Sequence, residues 1–263
     1  MSADVGRKPH DLALVMPVYN EEGCVREVVR AWRDELSRLG ADFVMLVLDD
    51  GSTDGTPRAL AEFAGDPRVR VLRKANTGHG PTILMGYRQA VELSPWVFQC
   101  DSDGEMAPSE FGALYERREA YDALFGVRVG RKQTLGRKAL SAGARATVRL
   151  LFGSGVQDVN TPYRLIRADV LKRIVAQMPD GTFAPNVIIS GALARAGLRV
   201  WHHPVPFEAR RTGKGSLASW KLWCVALKSF CETLRCRPRL DAGASEGAPD
   251  ARESGSQLKG EAA

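Results

Sequence analysis

Phe43-Val44-Met45-Leu46-Val47-Leu48 runs without a break into Asp49-Asp50-Gly51-Ser52-Thr53-Asp54-Gly55-Thr56. Six apolar residues followed by eight that are acidic, hydroxylated or glycine cannot form one element. The first part reads as a buried strand and the second as a loop, with Thr56 or Asp54 placed to cap a helix opening at Pro57. The same change recurs along the chain. Leu12 to Val18 is apolar and is followed by Tyr19-Asn20-Glu21-Glu22; Val69 to Leu72 reads as a third strand and Trp96 to Cys100 as a fourth, ending in Asp101-Ser102-Asp103. Between them, Val25, Val28, Val29, Trp32, Leu36 and Leu39 have the spacing of one helix face over 21–39, stopped by Gly40, and Gly78-His79-Gly80 opens a helix that runs to Leu93. Strand, loop and helix in alternation predict an α/β fold with a mostly parallel central sheet flanked by helices. Ligands of such sheets bind beyond the carboxyl ends of the strands. Loops 19–22, 49–56 and 101–105 all belong to that edge, which brings four to six carboxylates to one rim.

The 263 residues suffice for one large domain or two small ones, with a core that needs neither disulfides nor a structural metal. Hydrophobic residues make up 44% and charged residues 26%, which excludes a wholly disordered, collagen-like or disulfide-stapled chain. The net charge is +6, unevenly spread: residues 241–263 hold five acids against two bases, a net of −3, which leaves +9 on residues 1–240. A basic body points to an anionic partner. Nucleic acid is disfavoured, because aromatics do not interleave with the bases around 128–149. Five cysteines with no CxxC pair, and an N-terminus without a signal-like apolar stretch, fit a reducing cytoplasm. No uninterrupted apolar run of the roughly 18 residues that a bilayer-spanning helix needs occurs in the sequence.

The second half is organised differently. No acid occurs from Ala123 to Gln157, where Arg128, Arg131, Lys132, Arg137, Lys138, Arg145 and Arg149 stand. Residues 137–152, 170–177 and 186–196 have helical spacing, and Leu198 to Phe207 reads as a strand. After the basic turn at 210–215, residues 217–235 read as an amphipathic helix whose Trp and Phe face suits a membrane surface, the preceding domain or a second copy. The division expected is a loose N-terminus over 1–10, one domain over 11–215, this helix over 216–236, and a disordered tail over 237–263.

Several phosphate and metal motifs fail. Gly78-His79-Gly80 lacks the third glycine of the dinucleotide fingerprint, since Ile83 takes its place. Gly213-Lys214 lacks the remaining P-loop residues, with Glu208 and Gly215 in their positions. His202 and His203 are adjacent on a strand, so they face opposite ways. Asp101-Ser102-Asp103 is the better candidate: two carboxylates just past a buried strand can converge on one hard cation that keeps substrate phosphates in its shell. The competing reading of that stretch alone is a solvated turn. Trp32 and Trp96 read as core residues.

Taken together, Pro17 to Glu22 after the first strand, Asp49 to Thr56 after the second and the DxD after the fourth resemble the family 2 glycosyltransferases of GT-A fold, over about residues 10–215. Gly126-Val127-Arg128, Arg137-Lys138-Ala139-Leu140-Ser141, and Asp158 with Tyr163-Arg164-Leu165 look like the dolichyl- and polyprenyl-phosphate sugar synthases, the group typified by dolichol-phosphate mannosyltransferase. The resemblance implies a Rossmann-like nucleotide-binding half in which Pro17, Tyr19 and Glu21 line the base pocket and Leu48 and Asp50 hold the nucleoside. It implies that Asp101, Ser102 and Asp103 hold the diphosphate through Mg²⁺ or Mn²⁺, with Glu105 a third metal ligand. Arg128, and less directly Arg137, would meet donor or acceptor phosphate, and Arg210 and Lys214 the acceptor phosphate. The implied activity is inverting sugar transfer from a GDP- or UDP-linked donor to a polyprenyl phosphate at the cytoplasmic face of a membrane, by a peripheral protein, alone, as a homo-oligomer or with a membrane partner. A phosphate acceptor is already an anion and needs no general base; a hydroxyl acceptor would need one, with Asp158 or Glu208 available.

The basic turn departs from the Arg-x-x-Gly-x-Ser-Lys of relatives. Aligned on Gly213, it keeps Arg210 but has Gly215 and Ser216 in the last two places, with the lysine displaced to Lys214. A glycan or small-molecule hydroxyl acceptor is therefore the alternative. A non-catalytic nucleotide- or lipid-binding module is the alternative of another class, and the intact Asp101/Asp103 pair argues against it.

Overall fold

The computed structural model describes residues 9–130, 159 and 161–207. The helices expected over 137–152 and 217–235, the turn at 210–216 and the tail lie outside the described residues. The elements in chain order are β1 (Leu12–Val18), α1 (Val25–Arg38), β2 (Phe43–Asp49), α2 (Thr56–Leu60), β3 (Val69–Arg73), α3 (His79–Leu93), β4 (Trp96–Gln99), α4 (Phe111–Arg117), β5 (Ala123–Val129), β6 (Arg164–Arg167), α5 (Ala168–Val175), α6 (Pro185–Arg195) and β7 (Val200–Pro206). Among the described residues, no helix is long and apolar enough to cross a membrane.

The strands form one sheet in the order β3-β2-β1-β4-β6-β5-β7. All run parallel except β6, which is antiparallel to β4 on one side and to β5 on the other. Strand alternation sorts the core into two layers. Leu12, Leu14 and Met16 with Phe43, Met45 and Val47 face the side that holds Trp32 of α1 and Phe111 of α4. Ala13 and Val15 with Val44, Leu46 and Leu48 face α3, α5 and α6. β1 and β2 are buried at every position, which is why they read as continuous apolar runs.

On the first face Trp32 is fully buried, with the rings of Phe98, Phe111 and Tyr163 centred 5.0, 5.9 and 5.7 Å away. Trp96 is buried too, so both tryptophans are core residues as their spacing suggested. His202 and His203 diverge as strand neighbours must. His203 stacks on Trp201 at 5.3 Å and stands 3.1 Å from Glu110 Oε2, while His202 meets Phe125 edge-on at 6.2 Å.

Local departures have local causes. The helix expected from Glu21 starts at Val25, because the Glu21 carbonyl accepts from the amides of both Cys24 and Val25 and closes a turn there. The helix expected at Pro57 starts at Thr56, whose amide donates to Asp54 Oδ1 at 2.9 Å. β5 and β6 were not anticipated. β6 has only four residues, and Arg164 within it is fully buried, its guanidinium donating to the carbonyls of Thr161, Asn186 and Val159.

α3 lies directly on the sheet at Gly86. A Cβ there would stand 2.4 Å from Val15 Cγ1 and 2.6 Å from Leu48 Cδ1. Gly86→Ala should therefore destabilise the fold despite its better helix propensity, by about 1–3 kcal/mol as for other overpacked cores. Thermal denaturation should show a midpoint several degrees lower, at about 2–4 °C per kcal/mol; an unchanged or raised midpoint would contradict this packing.

Candidate active site

From β1 the chain adds β2 and then β3 on one side, and it places β4 on the other side of β1. Loops leaving β1 and β4 therefore diverge, and the gap between them is the crevice where open α/β sheets bind ligands. A cleft of about 910 Å³ occupies this place, lined by residues after β1 (Tyr19 to Gly23), after β2 (Asp50, Asp54), at the start of α3 (Asn76, Gly78, His79, Thr82) and after β4 (Asp101 to Asp103). The three acidic loops thus share one cavity, as their position in the sequence predicted.

The first two loops are stitched together by reciprocal bonds between side chain and backbone. Asn20 N–H donates to Ser52 Oγ at 3.0 Å, and Asn20 Oδ1 accepts from Thr53 N–H at 2.8 Å. Glu21 N–H donates to Thr56 Oγ1 at 2.8 Å. Glu22 N–H donates to Asp54 Oδ2 at 3.3 Å, and Glu22 Oε2 accepts from Gly55 N–H at 2.6 Å. To make this stitch the chain turns back at Asn20, the one non-glycine among the described residues with positive φ, at 53°. Asparagine adopts that region more readily than most residues. Cys24 ties in the third loop, its thiol 3.3 Å from Glu21 Oε2 and 3.5 Å from the Ser102 carbonyl.

Asp50 fixes the other wall. Its side chain is only 4% exposed. Oδ1 accepts from Lys74 Nζ and from Thr77 N–H, and Oδ2 accepts from Gly78 N–H, the last two at 2.9 Å. Burial by itself would raise the carboxyl pKa, but hydrogen bonds from Lys74, Thr77 and Thr82, with the Lys74 charge, hold it below the ordinary value. Gly78 then takes φ 96° and ψ 162°, open in practice only to glycine, and α3 begins. The positive end of α3 is directed at the cleft.

Asp101 and Asp103 both line the cleft. Asp101 Oδ1 accepts from Gln99 Nε2 at 3.1 Å and stands 3.7 Å from His79 Nε2; Asp103 Oδ1 accepts from Glu105 N–H at 3.1 Å. Two hard carboxylates match the small protein donor set that Mg²⁺ or Mn²⁺ takes when substrate phosphates complete its shell. Among the described residues, no three His, Cys, Asp or Glu side chains converge as a metal cluster. Glu105 is not brought into such a set, and it is not among the residues that line the cleft.

Of the other expected site residues, Pro17, Tyr19, Glu21, Asp50 and Ser102 line the cleft, and Tyr19 is 47% exposed at its mouth. Leu48 does not: its strand parity turns it into the core beside Val15 and Gly86. Arg128 lies near the carboxyl end of β5, on the same rim but two strands beyond β4 and outside the cleft lining. Arg137, Asp158, Glu208, Arg210 and Lys214 lie outside the described residues. The sequence reading missed Asn76, Lys74 and His79. The run Gly78-His79-Gly80 at a helix start was the available signal, set aside because it failed as a dinucleotide motif.

A family model, Glycosyl transferase family 2, matches residues 13–175. The chain belongs to that family. Its curated relatives include undecaprenyl-phosphate 4-deoxy-4-formamido-L-arabinose transferases, one from Pectobacterium atrosepticum at 28% identity over 194 residues and one from Pseudomonas aeruginosa at 30% over 199 residues. These alignments cover 72% and 74% of this chain, which spans only 58% of the length of each relative. The fold is also that of the Mycobacterium tuberculosis glucosyl-3-phosphoglycerate synthase solved with Mn²⁺, uridine diphosphate and glucosyl-3-phosphoglycerate, with a TM-score of 0.62 at 20% identity over 87% of this chain and 80% of that one. The α/β architecture expected of a GT-A glycosyltransferase is thus the one found.

The Asp50 bonds set a pH dependence for this family 2 site. The folded carboxyl is held below the unfolded value of about 3.9, so between the two values the unfolded chain binds the extra proton and stability falls as the pH falls. Asp50→Asn should be less stable than the parent at neutral pH, and the gap should narrow as the pH drops from about 5 to 3. Denaturation midpoints across that range check it; a constant gap would mean that the Asp50 charge contributes nothing.

Proposed function

We propose that the protein transfers a sugar from a nucleoside diphosphate sugar to a polyprenyl phosphate, with inversion at the anomeric carbon. The observation that carries the donor half is the convergence of three acidic loops on one cleft at the switch point of the sheet, with the Asp101/Asp103 pair, Tyr19 and Glu21 all in its lining. In this reading the Tyr19 ring lies against the base and Glu21 accepts from base or ribose. Pro17 shapes the floor, and Asp50 acts mainly by holding the 74–78 loop in place. Asp101 and Asp103 would hold Mg²⁺ or Mn²⁺, which offsets the charge that develops on the departing nucleoside diphosphate. The N-terminal end of α3 adds its positive dipole to the same space.

The acceptor half rests on two supports. The curated relatives are named as undecaprenyl-phosphate transferases. Among the cleft carboxylates, Glu22 and Asp54 are bonded to loop amides and Asp50 to the 74–78 loop, while Glu21, Asp101 and Asp103 have the donor-side roles just given. A phosphate monoester, with a second pKa of about 6, is already ionised near neutral pH and asks for no general base. Arg128 is the described residue proposed to meet acceptor phosphate, by the planar fork that suits phosphate oxygens. In this reading the protein works at the cytoplasmic face of a membrane, with residues 11–215 as the catalytic unit and 216–236 against the lipid, the domain or a second copy.

The full chain, melted with UDP-, GDP- and dTDP-sugars with and without Mg²⁺ or Mn²⁺, should show a metal-dependent rise with one of them. Ligand at a hundred times its dissociation constant adds about 2.7 kcal/mol. Asp103→Asn should keep the unliganded melting temperature and lose transfer to undecaprenyl phosphate by about 10²-fold or more. Full activity in that variant would sink the donor reading. Transfer to hydroxyl acceptors but never to the lipid phosphate would sink the acceptor reading alone.

A further inference from the structure

Beneath the cleft floor a chain of buried polar groups ends on Asp101. Tyr87, in the middle of α3, donates its O–H to Asn186 Oδ1 at 3.0 Å. Asn186, on the first turn of α6, donates from Nδ2 to Gln99 Oε1 at 3.1 Å. Gln99, the last residue of β4, donates from Nε2 to Asp101 Oδ1 at 3.1 Å. Tyr87 and Gln99 are wholly buried and Asn186 is 5% exposed. Polar groups this deep cost stability unless every one is bonded, and these stand beside the apolar cluster that α3, α5 and α6 form on the sheet.

The chain has one direction, and the charge at its end sets it. A carboxylate can only accept, so Gln99 must turn its NH₂ to Asp101 and its carbonyl to Asn186. Asn186 must then turn its NH₂ to Gln99 and its carbonyl to Tyr87, which has an O–H to give. Burial pushes the Tyr87 pKa up against the opposing Arg164 charge, so the phenol keeps that proton. The start of α6 is held in turn, because the Asn186 backbone carbonyl accepts from Arg164 Nη1 at 3.0 Å and from Ser190 Oγ at 2.8 Å. Three donors, from two helices and a strand, thus line up toward one carboxylate.

We infer that Gln99 and Asn186 are positioning residues, which fix the orientation of the Asp101 carboxylate for the cation and the donor diphosphate without touching either. This rests on the reading of Asp101 given above. Gln99, with no exposed surface, can act on the cleft only through Asp101. Outer partners of metal-ligating groups typically set metal affinity or activity by 10–100-fold.

The test is calorimetric titration of Mn²⁺ into the full chain, in the presence of whichever of UDP, GDP and dTDP binds the parent. Gln99→Met keeps the volume and removes the donor; it should weaken Mn²⁺ affinity about tenfold or more. Asn186→Leu should weaken it less, and should add nothing in the Gln99→Met background, because its effect passes through Gln99. Tyr87→Phe removes a single O–H with the shape kept, and should weaken affinity by a few-fold at most, in the same direction. Purely structural roles would lower melting temperatures and leave the Mn²⁺ affinity of the folded fraction unchanged. Unchanged affinity in folded Gln99→Met and Tyr87→Phe overturns the inference. Asp101→Asn separates the two levels: if it too leaves Mn²⁺ binding intact, the reading of Asp101 itself is wrong, whereas loss there with no change in Gln99→Met removes only the positioning chain.

Discussion

The site depends on a buried charge that had to be neutralised. Asp50 sits at the end of β2 with almost no contact with water, and an ionised carboxylate in that position is costly unless hydrogen bonds surround it. Lys74 and the amides of Thr77 and Gly78 supply them, so the loop after β3 can take only the path that delivers those groups. That path fixes where α3 starts and hence the place of His79. α3 then carries Tyr87 into the core beneath Asp101. One solvation requirement at the end of one strand therefore reaches the α3 side of the cleft and the core beneath Asp101.

The cleft is acidic within a basic chain. Glu21, Glu22, Asp50, Asp54, Asp101 and Asp103 all line it, with Lys74 bound to Asp50 behind them. Such a cavity repels a bare diphosphate and favours one that arrives with a cation, which agrees with the proposed use of the Asp101/Asp103 pair. Selection by charge then precedes any contact with base or sugar.

β1 and β2 were legible because each is a full apolar run closed by turn residues, β3 and β4 because shorter, mostly apolar stretches end in the same way, and α1 because of its regular stripe. β6 was not legible. It is four residues long, it begins and ends in arginine, and its burial depends on the backbone carbonyls of Val159, Thr161 and Asn186, which accept from Arg164. β5 was hidden inside a stretch whose basic residues drew attention to charge. In the site, residue type found the loops but not the direction of each side chain. The direction of Leu48 could not be read, because β2 is buried on both faces and such a strand shows no alternation from which to read parity. The partners of Asp50 are mostly backbone amides, which have no signature in a sequence. Gln99 and Asn186, 87 positions apart, could be joined only by the fold.

The strand order also bears on how the chain is made. β3, β2, β1 and β4 are neighbours in the sheet and consecutive in synthesis, so residues 12–99 can close as a unit before the rest of the chain has emerged. Until Arg164–Arg167 arrives to pair antiparallel with it, β4 is then an open, apolar edge beside a half-built cleft. The nascent protein is therefore expected to be most prone to aggregation in that interval, and a ribosome-bound fragment ending near residue 130 should engage chaperones more than one that includes β6.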